Sequence, residues 1–195
     1  MNKSLKTLLF IPNIIGYVRF ILICWSWCNI EESYSFLVAY TLNVLLDGVD
    51  GWTARKFNQV SSFGALLDVV VDNFGRGILW CHVCNFGYGI SAWEWLVFVC
   101  THAQSRGGQW KTQFQMAPVI VKKIMKNGFK TSTGMVTICG LHILPIWLYS
   151  IQSGVPLLVT MPVITNGVTW FLIVGRGLPL TAEAWCVWNH VCALL

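Results

Sequence analysis

The chain has 195 residues, 55% of them hydrophobic and 11% charged, with a formal net charge of +5 at neutral pH. A charged share less than half that of an average soluble domain excludes a water-soluble globule. The positive excess sits in short clusters between apolar runs, which is a topology signal and argues against a nucleic-acid partner.

In chain order, Lys3 and Lys6 precede apolar sequence that Pro12, Asn13 and Arg19 interrupt. No small-x-small cleavage site follows, so residues 3–12 are expected to lie at the membrane interface rather than to form a signal peptide. A membrane span needs about 20 residues at a rise of about 1.5 Å each. Runs that meet this need, or approach it, fall near 14–30, 35–52, 64–85, 92–104, 133–150 and 156–174. The expected fold is an all-α integral membrane protein, a single membrane domain over 1–195 with six transmembrane helices. Residues 175–195 are expected to form a cytosolic or interfacial tail.

Alternating spans place Lys3, Lys6, Arg55, Lys56, Arg106, Lys111, Lys122, Lys123, Lys126, Lys130 and Arg176 on one side. The other side receives Glu31, Glu32 and Glu94 and no lysine or arginine. This asymmetry predicts both termini in the cytosol. Trp25, Trp27, Trp93, Trp95, Trp147 and Trp170 lie toward span ends, where interfacial rings are favoured. Most cysteines fall inside apolar runs, and Cys81-x2-Cys84 has no partner pair at zinc-ribbon spacing, so neither disulfides nor a zinc site is expected.

The densest chemistry is an acidic pattern at the second and third spans: Asp47, Asp50, Gly51, Ala54, Arg55, Gly64, Asp68 and Asp72. At 100° per residue, Asp47 and Asp50 are about 60° apart on one helix, and Asp68 and Asp72 about 40° apart on the next. Four carboxylates in apolar sequence are costly unless compensated. Arg55 and Arg76 are the cations near them in sequence, which leaves two negative charges for one divalent ion. A set of hard oxygens without histidine or thiolate favours magnesium, manganese or calcium, and magnesium or manganese where phosphate must also be held. Gly51, Ala54 and Gly64 remove bulk beside the carboxylates, either for a ligand or for helix packing. The set interleaved with four aspartates and an arginine favours the ligand.

This spacing, Asp-x2-Asp-Gly-x2-Ala-Arg-x8-Gly-x3-Asp-x3-Asp, resembles the signature of the CDP-alcohol phosphatidyltransferases, with all eight signature positions present. Pro12-Asn13-Ile14-Ile15-Gly16-Tyr17 with Arg19, and Asn58-Gln59, are further similar to the eukaryotic phosphatidylinositol synthase branch. The resemblance implies a six-helix membrane bundle, often a homodimer, in the endoplasmic reticulum with its site open to the cytosol. It implies that Asp47, Asp50, Asp68 and Asp72 form the metal set for Mg2+ or Mn2+, with Asp72 also the general base. Gly51, Ala54, Arg55 and Gly64 would line the CDP part of the donor. The implied substrates are CDP-diacylglycerol and an alcohol, myo-inositol first, with CMP released.

The pattern departs from that branch in places that bear on the acceptor. Asn73 stands where an arginine is expected, with Arg76 one turn on. Thr101-His102-Ala103-Gln104-Ser105-Arg106 replaces an aspartate followed by a serine-histidine pair, and Ala117-Pro118 replaces Asn-Pro. Two alternatives therefore stay open: the same chemistry with glycerol phosphate, or with a CDP-aminoalcohol and diacylglycerol, and a silent homologue serving as a membrane partner subunit. The basic stretch from Arg106 to Lys130 is expected to enforce topology and meet anionic headgroups.

Overall fold

A computed structural model describes residues 3–104, 117–126 and 130–195, and among these the regular structure is entirely helical. The helices are α1 (Lys3–Leu8), α2 (Ile11–Cys28), α3 (Ser33–Lys56), α4 (Ser62–Val83), α5 (Gly87–Gln104), α6 (Val119–Met125), α7 (Ser132–Gln152), α8 (Pro156–Thr160) and α9 (Pro162–Leu194). Arg106 and Lys111 of the expected basic loop lie outside the described residues. Lys122 and Lys123 are on the exposed side of α6, whose Val121 and Ile124 are buried.

Among the described residues three helices are long and apolar enough, by length and composition, to cross a membrane: Ile11–Cys28, Ser132–Gln152 and Pro162–Leu194. The other long helices carry the carboxylates of interest, Asp47 and Asp50 on α3, Asp68 and Asp72 on α4, and Glu94 on α5, and these lower their apolarity. Side-chain polarity is inverted relative to a soluble protein. Ile21, Leu45 and Val163 are 64%, 62% and 84% exposed, while Arg19 and Asn13 are 0% and 1% exposed. Burying polar groups and exposing aliphatic ones is the arrangement a hydrocarbon solvent selects, and the protein is an integral membrane protein of the all-α class.

The chain forms two compact units, Met1–Ile78 and Leu79–Leu195, with the boundary inside α4. In the first, α2 packs along α3, and Phe36 stacks on Tyr40 within α3 at 5.5 Å. Phe20 of α2 meets Phe74 of α4 at 5.4 Å. Short bonds tie down the N-terminus: Asn13 Nδ2 donates to the Thr7 carbonyl, and Tyr17 Oη donates to that of Leu8 at 3.1 Å. Ile11 N, at the start of α2 where no intrahelical partner exists, donates to Gln59 Oε1 at 2.8 Å. The α3–α4 turn is made possible by Asn58, whose φ of 54° is one that asparagine tolerates better than most residues. Ser61 Oγ then accepts from Gly64 N at 3.0 Å and caps α4.

In the second unit, α9 packs on α7 and α5 around Trp80, Leu144 and Leu172. α7 and α9 cross at glycines. A Cβ on Gly140 would lie 2.2 Å from Arg176 N, and one on Gly175 would lie 2.7 Å from the Val136 carbonyl oxygen. This is the small-residue contact that lets membrane helices approach closely.

The stretch 175–195 continues the last helix: α9 runs 33 residues, through Pro179. At 1.5 Å per residue that is roughly 50 Å, more than the roughly 30 Å of a hydrocarbon core. Arg176 and Glu94, which a strict side-by-side allocation puts on opposite faces of the membrane, form a buried ion pair at 3.3 Å. Arg176 also reaches Glu183 at 3.3 Å, and Trp93 Nε1 donates to Glu183 Oε2 at 2.9 Å. Arg176 is therefore an internal, compensated charge rather than a loop charge that sets orientation.

Candidate functional site

The four aspartates converge within the first unit, and what gathers them is Arg19. Its side chain, from the middle of α2, is 1% exposed. Nη1 lies 2.6 Å from Asp50 Oδ2 and 2.8 Å from Asp68 Oδ1. Nη2 lies 2.9 Å from Asp47 Oδ1 and also meets Asp72 Oδ1. Nε faces Asn43 Oδ1 at 3.4 Å. A guanidinium has five N–H donors in one plane, and here every nitrogen has an acceptor. The helical spacing explains the convergence. Asp47 and Asp50 share one face of α3, Asp68 and Asp72 share one face of α4, and Arg19 stands against both.

The four are not equivalent. Asp47 and Asp68 have side chains 43% and 46% exposed, against 12% for Asp50 and 22% for Asp72. Asp47, Asp50 and Asp68 each offer an oxygen, and these oxygens lie within 4.8 Å of one another. Metal–oxygen distances of about 2.1–2.5 Å span such a set, so the three carboxylates fit a divalent cation of the hard, oxygen-seeking kind. Asp72 stands outside that trio. Its second oxygen faces Arg76 Nη1 at 3.6 Å, and Arg76 in turn donates to Asn73 Oδ1.

The charge count reached from sequence keeps its value but changes its members. Arg19 takes the place given to Arg55, so four carboxylates face Arg19 and Arg76, and two negative charges remain. Among the described residues no ion pair joins Arg55 to these aspartates; its guanidinium lies beside Gly51, 3.5 Å from where a Cβ there would be. Arg55 is instead on the wall of an adjoining cleft.

That cleft brings together Gly51, Ala54, Arg55 and Gly64, with Asp50 and Asp68 at its edge. Pro12, Asn13 and Gly16 of α2 and Gln59 of the α3–α4 turn complete it. All four residues expected to line a nucleotide site thus share one surface with two of the aspartates. The two readings of the small residues divide between them. A Cβ on Gly64 would meet Asn13 Oδ1 at 2.7 Å, so Gly64 is required by the approach of α2 to α4. A Cβ on Gly51 would meet only the Arg55 side chain, at 3.5 Å, so packing does not require glycine there. Gly51 instead lines the cleft beside Arg55.

An arginine in the middle of an apolar span is costly unless it pairs, which singles out Arg19 and Arg76 from sequence alone. Sequence did not show that the partners of Arg19 are these four aspartates, and gave no sign of Asn43. At the altered end of α5, Thr101 Oγ1 turns back onto the Val97 carbonyl at 2.8 Å, while the side chains of residues 103–106 lie outside the described set.

Comparison with known proteins bears on this geometry. The chain is 46% identical over 78 residues to a probable CDP-diacylglycerol–inositol 3-phosphatidyltransferase of Arabidopsis thaliana, covering 39% of this chain and 34% of that one. It is 41% identical over 90 residues to the CDP-diacylglycerol–inositol 3-phosphatidyltransferase of Saccharomyces cerevisiae (46% and 39%), and 44% identical over 69 residues to that of Homo sapiens (33% and 30%). The chain thus spans about a third of the length of the curated relatives it matches. No solved structure matches. The model of one family, CDP-alcohol phosphatidyltransferase, matches residues 9–175, and the chain belongs to that family.

Proposed function

We propose that the chain transfers a phosphatidyl group from CDP-diacylglycerol to myo-inositol and releases CMP. The observation that supports this most is the shared surface: a cleft holding Gly51, Ala54, Arg55 and Gly64 ends on Asp50 and Asp68, two members of the cation-sized carboxylate trio. A nucleotide in the cleft would present its diphosphate to that trio. The named relatives act on CDP-diacylglycerol and inositol, which favours the same pair here.

In this reading Asp47, Asp50 and Asp68 hold Mg2+ or Mn2+. When bound, the cation supplies positive charge to the diphosphate and to the departing CMP. Arg55 faces the donor from the cleft wall, and Gly51 and Ala54 let it approach the α3 backbone. Asp72, held by Arg19 and Arg76, accepts the proton of the attacking hydroxyl as its oxygen bonds to the phosphatidyl phosphorus and the bond to CMP breaks. No covalent enzyme intermediate is needed.

Around this site we place one membrane domain over residues 1–195 with six crossings: α2, α3, α4, α5, α7 and α9. Both termini and the cleft face the cytosol at the endoplasmic reticulum, membrane lipids surround the apolar face, and two copies pair. Residues beyond 174 leave the hydrocarbon as the continuation of α9.

A second reading keeps the chemistry and changes the acceptor. It is favoured by Asn73, whose side-chain oxygen is taken up by Arg76. Purified protein in detergent, given CDP-diacylglycerol and magnesium with inositol, glycerol phosphate or no acceptor, separates the readings. Inositol-dependent CMP release supports the first; release with glycerol phosphate alone supports the second. Release with neither, by protein that binds CDP-diacylglycerol, would turn the assignment toward a silent partner subunit.

A further inference from the structure

A single guanidinium contacting all four carboxylates has a consequence for the cation that those carboxylates suit. Arg19 bonds one oxygen each of Asp47, Asp50 and Asp68, the same three residues whose oxygens lie close enough for one ion. A cation held by those carboxylates would share its ligands with the guanidinium, and two positive groups on the same ligands repel. Arg19 is also fully covered by protein, so its charge is not dispersed into solvent.

We propose that Arg19 is the built-in counter-charge of the aspartate site and competes with the divalent cation for Asp47, Asp50 and Asp68. Arg19 is a positioning residue in this scheme. It keeps four like charges from driving α3 and α4 apart, and gives up part of its hydrogen bonding when the cation arrives. The competition lowers cation affinity, so the site releases its ion readily and holds it firmly only with the added negative charge of a diphosphate. This rests on the functional reading above.

Mn2+ binding to the full-length protein in detergent, followed by the electron paramagnetic resonance of the free ion and without nucleotide, tests it. Arg19→Lys keeps the charge in a group that cannot bridge four carboxylates, and Arg19→Gln removes the charge. Both are expected to bind Mn2+ more tightly than wild type, Arg19→Gln by about ten- to a hundredfold, the scale of losing charge-assisted bonds to shared ligands. Both are also expected to melt earlier in chelator and to regain their melting temperature with Mn2+. A purely structural Arg19 would move affinity the other way, because a disordered site binds worse. Weaker or unchanged Mn2+ binding in these variants overturns the proposal. So does failure of both to fold in saturating Mn2+, since the cation should take over the role of the guanidinium. No Mn2+ binding by wild type or by either variant, even with CDP-diacylglycerol added, would sink the functional reading instead.

Discussion

The side-chain oxygen of Asn13 lies 2.7 Å from the point that a Cβ on residue 64 would occupy. That closeness joins the start of α2 to the start of α4, and both residues line the cleft. Gly64→Ala should therefore strain the first unit by about 1–3 kcal/mol, the usual range for overpacking a tight contact. Thermal unfolding in detergent reads this as a lowered midpoint.

Gly51→Ala should do the opposite to stability. The added methyl meets only Arg55, at 3.5 Å, and alanine is favoured over glycine inside a helix by about 0.5–1 kcal/mol. The midpoint should hold or rise while CMP release falls, because the methyl projects beside the cleft. Equal loss of stability and activity would return Gly51 to a packing role.

Gly140→Ala should be among the most damaging small changes in the second unit. The added Cβ would fall 2.2 Å from Arg176 N, inside backbone that cannot turn away, so α7 and α9 must separate. A cost of roughly 2 kcal/mol or more is expected. Gly177→Ala, one residue past Arg176 and with open space around it, is the control and should leave the midpoint unchanged or slightly raised.

Arg176→Leu should destabilise by about 3–5 kcal/mol, since it takes the guanidinium from the buried Glu94 and the partly buried Glu183. Combining it with Glu94→Leu should recover part of that loss, a non-additivity that a double-mutant cycle in thermal melts measures directly. Additive effects would mean that the 3.3 Å pair carries no coupling.

The positions of the long helices were legible because each apolar run is bounded by charge or by glycine and proline. The facing of the aspartate pairs was legible because three- and four-residue steps put side chains on one face. Arg19 as their common partner was not, since it lies 28 residues before Asp47 in sequence and only tertiary packing brings it there. Arg55, adjacent in sequence, was the natural partner on paper but belongs to the cleft. The pairing of Arg176 with Glu94 was hidden for the same reason, and it removed one charge from the topology argument. α9 continues through Pro179, a residue that normally ends helices, because the loss of one backbone hydrogen bond is small beside 33 residues of packing. Gly51 and Gly64 look alike in sequence; only the space around each Cα separated cleft from contact.

The central claim is that carboxylates of α3 and α4 jointly hold a cation that CMP release requires. The most direct measurement is CMP release from CDP-diacylglycerol with inositol, by wild type and by Asp68→Asn, across a magnesium titration that begins in excess chelator. Wild type should be silent in chelator and recover with magnesium, while Asp68→Asn, folded by its melting curve, should stay at least about a hundredfold lower at every concentration. Release that persists in chelator, or that survives in Asp68→Asn, would contradict the account.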